Sequence, residues 1–87
     1  MTGSYSLVIK RSAERELRRL PKANLSRVVQ RIRELAHNPR PSGSEKLSGQ
    51  DRYRVRQGDY RVVYSVDDEE RLVEIVKIGH RREVYRK

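Results

Sequence analysis

Arg52-Tyr53-Arg54-Val55-Arg56-Gln57, then Gly58-Asp59, then Tyr60-Arg61-Val62-Val63-Tyr64-Ser65-Val66: the reading of this stretch decides the fold. In a β-strand, side chains two apart share a face. Arg52, Arg54 and Arg56 then form a cationic ridge, with Tyr53 and Val55 turned to the opposite face. Gly58-Asp59 supplies a tight turn, so the second alternating run returns antiparallel beside the first. A hairpin of this kind carries guanidinium groups on a rigid sheet. Such a surface suits a ligand with several negative charges in fixed positions, and a phosphodiester backbone is the obvious candidate.

Working outward, three strands are expected at about 52–57, 60–66 and 71–78. The acidic run Asp67-Asp68-Glu69-Glu70 joins the second to the third and reads as a turn. Leu72-Val73-Glu74-Ile75-Val76-Lys77-Ile78 is apolar on both faces for much of its length, which predicts a central strand. Upstream, Asn38-Pro39-Arg40-Pro41-Ser42-Gly43-Ser44 is a loop. Before it, Leu25, Val28, Val29, Ile32, Leu35 and Ala36 give a helix over about 23–37 its apolar face, with Arg27, Arg31 and Arg33 pointing elsewhere. His37 sits at its C-terminal end and reads as a capping side chain. Ala13, Leu17 and Leu20 repeat at helical spacing, so residues 13–20 form a short helix, with Ser12 as its N-cap and Pro21 as its stop. Tyr5 to Lys10 reads as a first strand, with Tyr5, Leu7 and Ile9 on one face. The fold class is α+β in the order β-α-α-β-β-β: two N-terminal helices packed on a small, mainly antiparallel sheet.

Composition limits what such a chain can be. Eighty-seven residues make one domain, 1–87, and a chain of this size buries only about 60–65% of the surface its unfolded form exposes. Hydrophobic residues make up 34%, with no Phe and no Trp, against 38% charged. The core is therefore thin, built from Leu, Val, Ile, Ala and the rings of Tyr. The absence of Cys excludes disulfides and thiolate metal sites. Two His without Cys give no credible metal site, and no cofactor motif is present. No apolar run resembles a signal peptide or a membrane span, so a cytoplasmic protein without membrane contacts is expected. The formal net charge is +9. Residues 1–50 hold 11 basic and 4 acidic side chains, a balance of +7, and residues 51–87 hold 10 and 8, a balance of +2. The helical half thus supplies a diffuse field for attracting a polyanion. The strand half supplies arginines at defined positions.

Three segments taken together carry a resemblance. They are Lys46-Leu47 followed by Tyr53-Arg54-Val55-Arg56, then Gly58-Asp59-Tyr60-Arg61-Val62-Val63-Tyr64, then Gly79-His80-Arg81-Arg82-Glu83-Val84-Tyr85. The ordered set resembles the RelE family of bacterial and archaeal toxins, within the wider RelE/ParE superfamily, over nearly the whole chain. The resemblance implies a small toxin encoded beside a RelB-like antitoxin, which inhibits it through an acidic or amphipathic segment. It also implies a ribosome-dependent, metal-independent endoribonuclease that cuts messenger RNA in the decoding site. By position, Arg54 and Arg56 match two basic residues of the family's strand, which are lysines in other members. Arg61 matches the arginine of the Tyr-Arg-x-Val-Tyr segment, Arg81 the basic position after the last strand, and Tyr85 the tyrosine of the tail. Lys46, Arg52, Arg82 and Arg86 are further candidates for RNA contact.

The chemistry can be argued from the residues. Metal-free RNA cleavage requires the 2′-hydroxyl to attack the adjacent phosphorus while the 5′ oxygen leaves. Fixed cations aimed at the phosphoryl oxygens are then the largest contribution. Arg61 and Arg81 suit that clamp, and Tyr85 suits stacking on a base or moving a proton. An arginine does not deprotonate in a protein, so Arg54 and Arg56 read as electrostatic stabilisers and not as bases. His80 has the pKa range for proton transfer and is the expected base, with ribosomal RNA groups or weak catalysis as the alternatives. Tyr53, Tyr60 and Tyr64 read as core. Two rival functions stay open: ParE-like binding to DNA gyrase, and a pure docking module whose arginines meet an acidic antitoxin.

Overall fold

The computed structural model describes residues 4–47 and 51–80. Seven elements follow in the order β1 (Ser6–Ile9), α1 (Arg11–Arg18), α2 (Lys22–His37), β2 (Glu45–Lys46), β3 (Arg52–Gln57), β4 (Tyr60–Asp67) and β5 (Leu72–His80). The strands form one sheet in the order β1-β5-β4-β3-β2, antiparallel except for the parallel β1–β5 pair. The expected α+β architecture is what the chain adopts, with one strand more than the periodicity revealed. That strand, β2, is two residues long and too short to show alternation.

The helices form where apolar side chains recur at helical spacing. Ala13 and Leu17 of α1, and Val28, Ile32 and Leu35 of α2, are the positions driven into the core. They meet Val55, Val62, Tyr64, Val73, Ile75 and Ile78 from the sheet. Each fully buried Val, Leu or Ile contributes about 1.5–3 kcal/mol. Pro21 separates the helices and takes the N-cap position of α2, and its carbonyl accepts from Leu25 N at 2.8 Å. Asn38, before Pro39, is extended and ends α2. His37 lies in the last turn of α2, at the negative end of its dipole.

The expected Ser12 cap is not formed. α1 begins at Arg11, with Lys10 in the N-cap position and Ser12 inside the first turn. Lys10 explains the early start. Its N–H donates to the Ile75 carbonyl of β5 at 2.9 Å, and its own carbonyl accepts from Glu14 N at 2.9 Å. The strand passes directly into the helix, leaving no turn for a serine to cap. Tyr5, just before β1, and Leu7 within it pack on the core as expected, but Ile9 is 37% exposed and Val8 45%.

Two features shape the sheet around the hairpin. Gly58 takes a left-handed conformation, φ 61°, which lets β3 reverse into β4 within two residues. β5 carries a bulge: Val63 pairs with Lys77 but Tyr64 pairs with Ile75, leaving Val76 as the extra residue. Before the bulge, Val73 and Ile75 face the helices; after it, Ile78 does so.

The acidic turn does more than reverse the chain. Asp68 accepts from both terminal nitrogens of Arg40, at 3.1 and 2.9 Å, and from the Tyr5 hydroxyl at 2.7 Å. Arg40 Nε donates to the Tyr53 hydroxyl at 3.0 Å. This network ties β1, the loop after α2, β3 and the β4–β5 turn together.

Candidate nucleic-acid interface

The register of the hairpin sets its two faces. Arg52, Arg54 and Arg56 of β3 stand opposite Ser65, Val63 and Arg61 of β4. Directly paired residues share a face, so the four arginines lie on one side of the sheet. Tyr53 and Val55 turn to the other side, where Tyr53 stacks on Tyr64 at 5.8 Å and Val55 is 1% exposed. The ridge expected from the sequence is present, and so is the core role of the tyrosines. Tyr64 is fully buried and donates its hydroxyl to the Pro39 carbonyl at 2.7 Å. Tyr53 and Tyr60 pack against the same core.

Arg54, Arg56 and Arg61 line one cavity of about 370 Å³. Arg61 is 6% exposed, and it is the buried charged side chain among the described residues. Its guanidinium, held in the sheet next to Arg56, creates a strongly positive site of reduced dielectric. Arg52 is exposed at the far end of the same ridge. Lys46 is exposed on β2 and pairs with Tyr53, so it faces away from the ridge.

Besides Gly43, two charged residues that sequence reasoning passed over line the cavity. Arg31 reaches it from α2, and Glu45 from β2. Glu45 forms an ion pair with Arg54, and that hydrogen bond holds the Glu45 carboxyl below its ordinary range, with Arg61 and Arg56 adding to the effect. The signal for Glu45 lay in β2, whose pairing puts Glu45 beside Arg54. Arg31 had no such signal, because a cation on the polar stripe of a helix looks like a solvated one.

His80 does not join the arginines. Arg61 pairs with Gly79, whereas His80 pairs with Tyr60, on the helix-covered side. There it meets the Tyr60 ring edge-on at 5.9 Å and lines a separate cavity with Glu16, Arg19 and Leu20 of the α1 region. The bulge is the cause. Uninterrupted alternation from Ile75 would put His80 on the arginine face, and one extra residue reverses it. Arg81, Arg82, Tyr85 and Arg86 lie outside the described residues.

Two helices on one face of a five-stranded sheet, with clustered arginines on the other, are the arrangement that the resemblance to the small basic toxins of type II toxin–antitoxin systems implies. The comparisons agree. The family described as ParE toxin of type II toxin-antitoxin system, parDE, matches residues 7–85. Toxin RelE of Mycobacterium tuberculosis is 37% identical over 86 residues, covering 94% of this chain and 87% of its own. Toxin RelG of the same organism is 32% identical over 87 residues, covering 95% and 98%. The crystal structure of the archaeal RelE–RelB complex from Pyrococcus horikoshii OT3 superposes with a TM-score of 0.81 at 34% identity, covering 90% of this chain and 96% of that one. The chain belongs to the RelE family of type II toxins, within the RelE/ParE superfamily.

Proposed function

We propose that this toxin is a ribosome-dependent endoribonuclease of the cytoplasm that cleaves messenger RNA in the decoding site. The observation that carries the reading is the meeting of Arg54, Arg56 and Arg61 at one cavity. In the proposed reaction the 2′-hydroxyl oxygen bonds to the adjacent phosphorus and the bond from phosphorus to the 5′ oxygen breaks. The 2′ proton is released and the 5′ oxygen gains one, leaving a cyclic phosphate and a free 5′-hydroxyl. Negative charge grows on the non-bridging oxygens, where arginine forks donate paired hydrogen bonds without losing their own protons. No metal or other cofactor enters this scheme. Arg81 would complete the clamp and Tyr85 would stack on a base or move a proton, as the family resemblance implies. Arg52, Arg82 and Arg86 would contact the flanking message, whereas the expected contact from Lys46 is dropped because that side chain stands on the opposite face. His80, turned to the opposite face, is given no proton transfer, and groups of the ribosomal RNA orient the 2′-hydroxyl instead.

An antitoxin partner belongs to the same proposal. RelE relatives have been solved in complex with RelB. An acidic or amphipathic segment covering the arginine face would neutralise it and block the substrate. Saturating antitoxin should then raise the melting temperature markedly.

The ParE description of the matching family keeps a second reading in view, in which the toxin binds DNA gyrase. One experiment separates the two. The 5′ ends of a defined message are mapped on programmed ribosomes with and without the protein, alongside a supercoiling assay with gyrase. New 5′-hydroxyl ends within the decoding-site codon support the nuclease. An intact message with inhibited gyrase supports the alternative.

A further inference from the structure

The positive site continues past the sheet. Arg31 lines the arginine cavity and also a second cavity of about 410 Å³, with Arg27, Gln30, Glu34 and Gln57. The two share Arg31, and the consecutive β3 residues Arg56 and Gln57 line one each. β2 pairs only with Tyr53 and Arg54, so among the described residues no strand covers β3 from Val55 to Gln57 on that side. Gln57 follows Arg56 in the strand and turns towards α2, where it lines the second cavity. Arg27 and Arg31 are one helical turn apart and so share a face of α2.

Arg31 is also incompletely satisfied. Its Nε is buried without a hydrogen-bond partner among the described residues. Its contact with Glu34 runs from the other end of the guanidinium and is long, at 3.4 Å. A buried donor left unpaired is costly, so the present placement of the Arg31 guanidinium is not tightly held by partners.

We infer that a single RNA strand, held at Arg54, Arg56 and Arg61, leaves the site over the open edge of β3 and continues onto α2. Arg31 and then Arg27 take the flanking phosphates, and Gln30 and Gln57 offer donors to sugar or base edges. The inference rests on the nuclease reading and adds to it the path of the flanking strand across α2.

The test uses fluorescence anisotropy with fully 2′-O-methylated oligonucleotides, which the toxin cannot cleave, three and nine nucleotides long. Each phosphate contact on a single strand contributes about 0.7 to the slope of log affinity against log salt. The double variant Arg27→Gln/Arg31→Gln should bind the nonamer about 10-fold more weakly, with a slope shallower by about 1.4. Its loss of affinity for the trimer should be smaller, because of the two residues only Arg31 also lines the arginine cavity. Arg27→Gln alone, an exposed change that leaves the core intact, should lower the slope by about 0.7. Unaltered nonamer affinity and slope in both variants, with the parent protein still binding, would overturn the exit path and leave the nuclease reading standing. Binding of neither oligonucleotide by the parent protein would overturn the exit path, while the nuclease reading is decided separately by the 5′ ends mapped on programmed ribosomes.

Discussion

In the proposed nuclease, Arg61 is the residue on which the chemistry turns. It is buried, charged and fixed in the middle strand of the sheet. Replacing it with Gln keeps hydrogen-bond donors but removes the charge, and should lower cleavage on programmed ribosomes by about 10²–10³-fold, as loss of a transition-state donor does. His80→Gln in the same assay should stay within about twofold, because the bulge turns that side chain away. A loss for His80→Gln as large as that for Arg61→Gln would restore the imidazole to the mechanism. Glu45 presents the converse case. It is an anion inside a site for anions, paired with Arg54. Glu45→Gln should tighten binding of a non-cleavable oligonucleotide several-fold and steepen its salt dependence. Unchanged or weaker binding would show that the carboxylate orders Arg54 and does not compete with phosphate.

At the scale of elements, α1 is fastened to the sheet by one carboxylate. Glu16 accepts from the Ile78 backbone N–H at 2.8 Å and from Lys77 Nζ at 3.2 Å, just past the bulge. Glu16→Ala leaves that N–H without its partner and should cost about 1–3 kcal/mol. In a domain of this size, each kcal/mol lowers the melting temperature by about 4–8 °C. An unchanged melting curve would mean that the apolar contacts of Ala13 and Leu17 hold α1 alone. The same elements show what a sequence can and cannot reveal. The hairpin was legible because strict alternation of Arg with Tyr and Val leaves one assignment of faces. The helices were legible from Val28, Ile32 and Leu35. The bulge was not: Glu74 to Ile78 reads as a two-sided apolar strand, and only packing against β4 selects Val76 as the extra residue. Without the bulge, nothing in the sequence separates His80 from the neighbouring arginines, and it groups with them as a possible base. Arg31 was missed for another reason, since tertiary placement beside the open edge of β3 is invisible in helical periodicity.

For the molecule as a whole, stability and charge are linked. The Asp68 carboxyl is held below its ordinary value of 3.8, chiefly by hydrogen bonds from Arg40 and then from Tyr5. The folded state therefore favours the ionised form. That stabilisation is complete above the ordinary carboxylate range and is lost as pH falls through the lowered value. Melting temperatures recorded from pH 7 down to pH 3 should drop at the acid end, and Asp68→Asn should flatten the drop while lowering the plateau. Parallel curves for the two proteins would remove Asp68 from the acid limb. Topology adds a consequence of another kind. β5 is bound on one side by β1 and on the other by β4, and α1 rests on it too. Chains are synthesised from the N-terminus at about 5–20 residues per second, so β1 waits several seconds for its neighbour. A copy interrupted before Leu72 has no strand to join its beginning to its middle. Only a chain translated through β5 can close its core, and an unfinished copy leaves the apolar faces of both helices without the strand that gathers them.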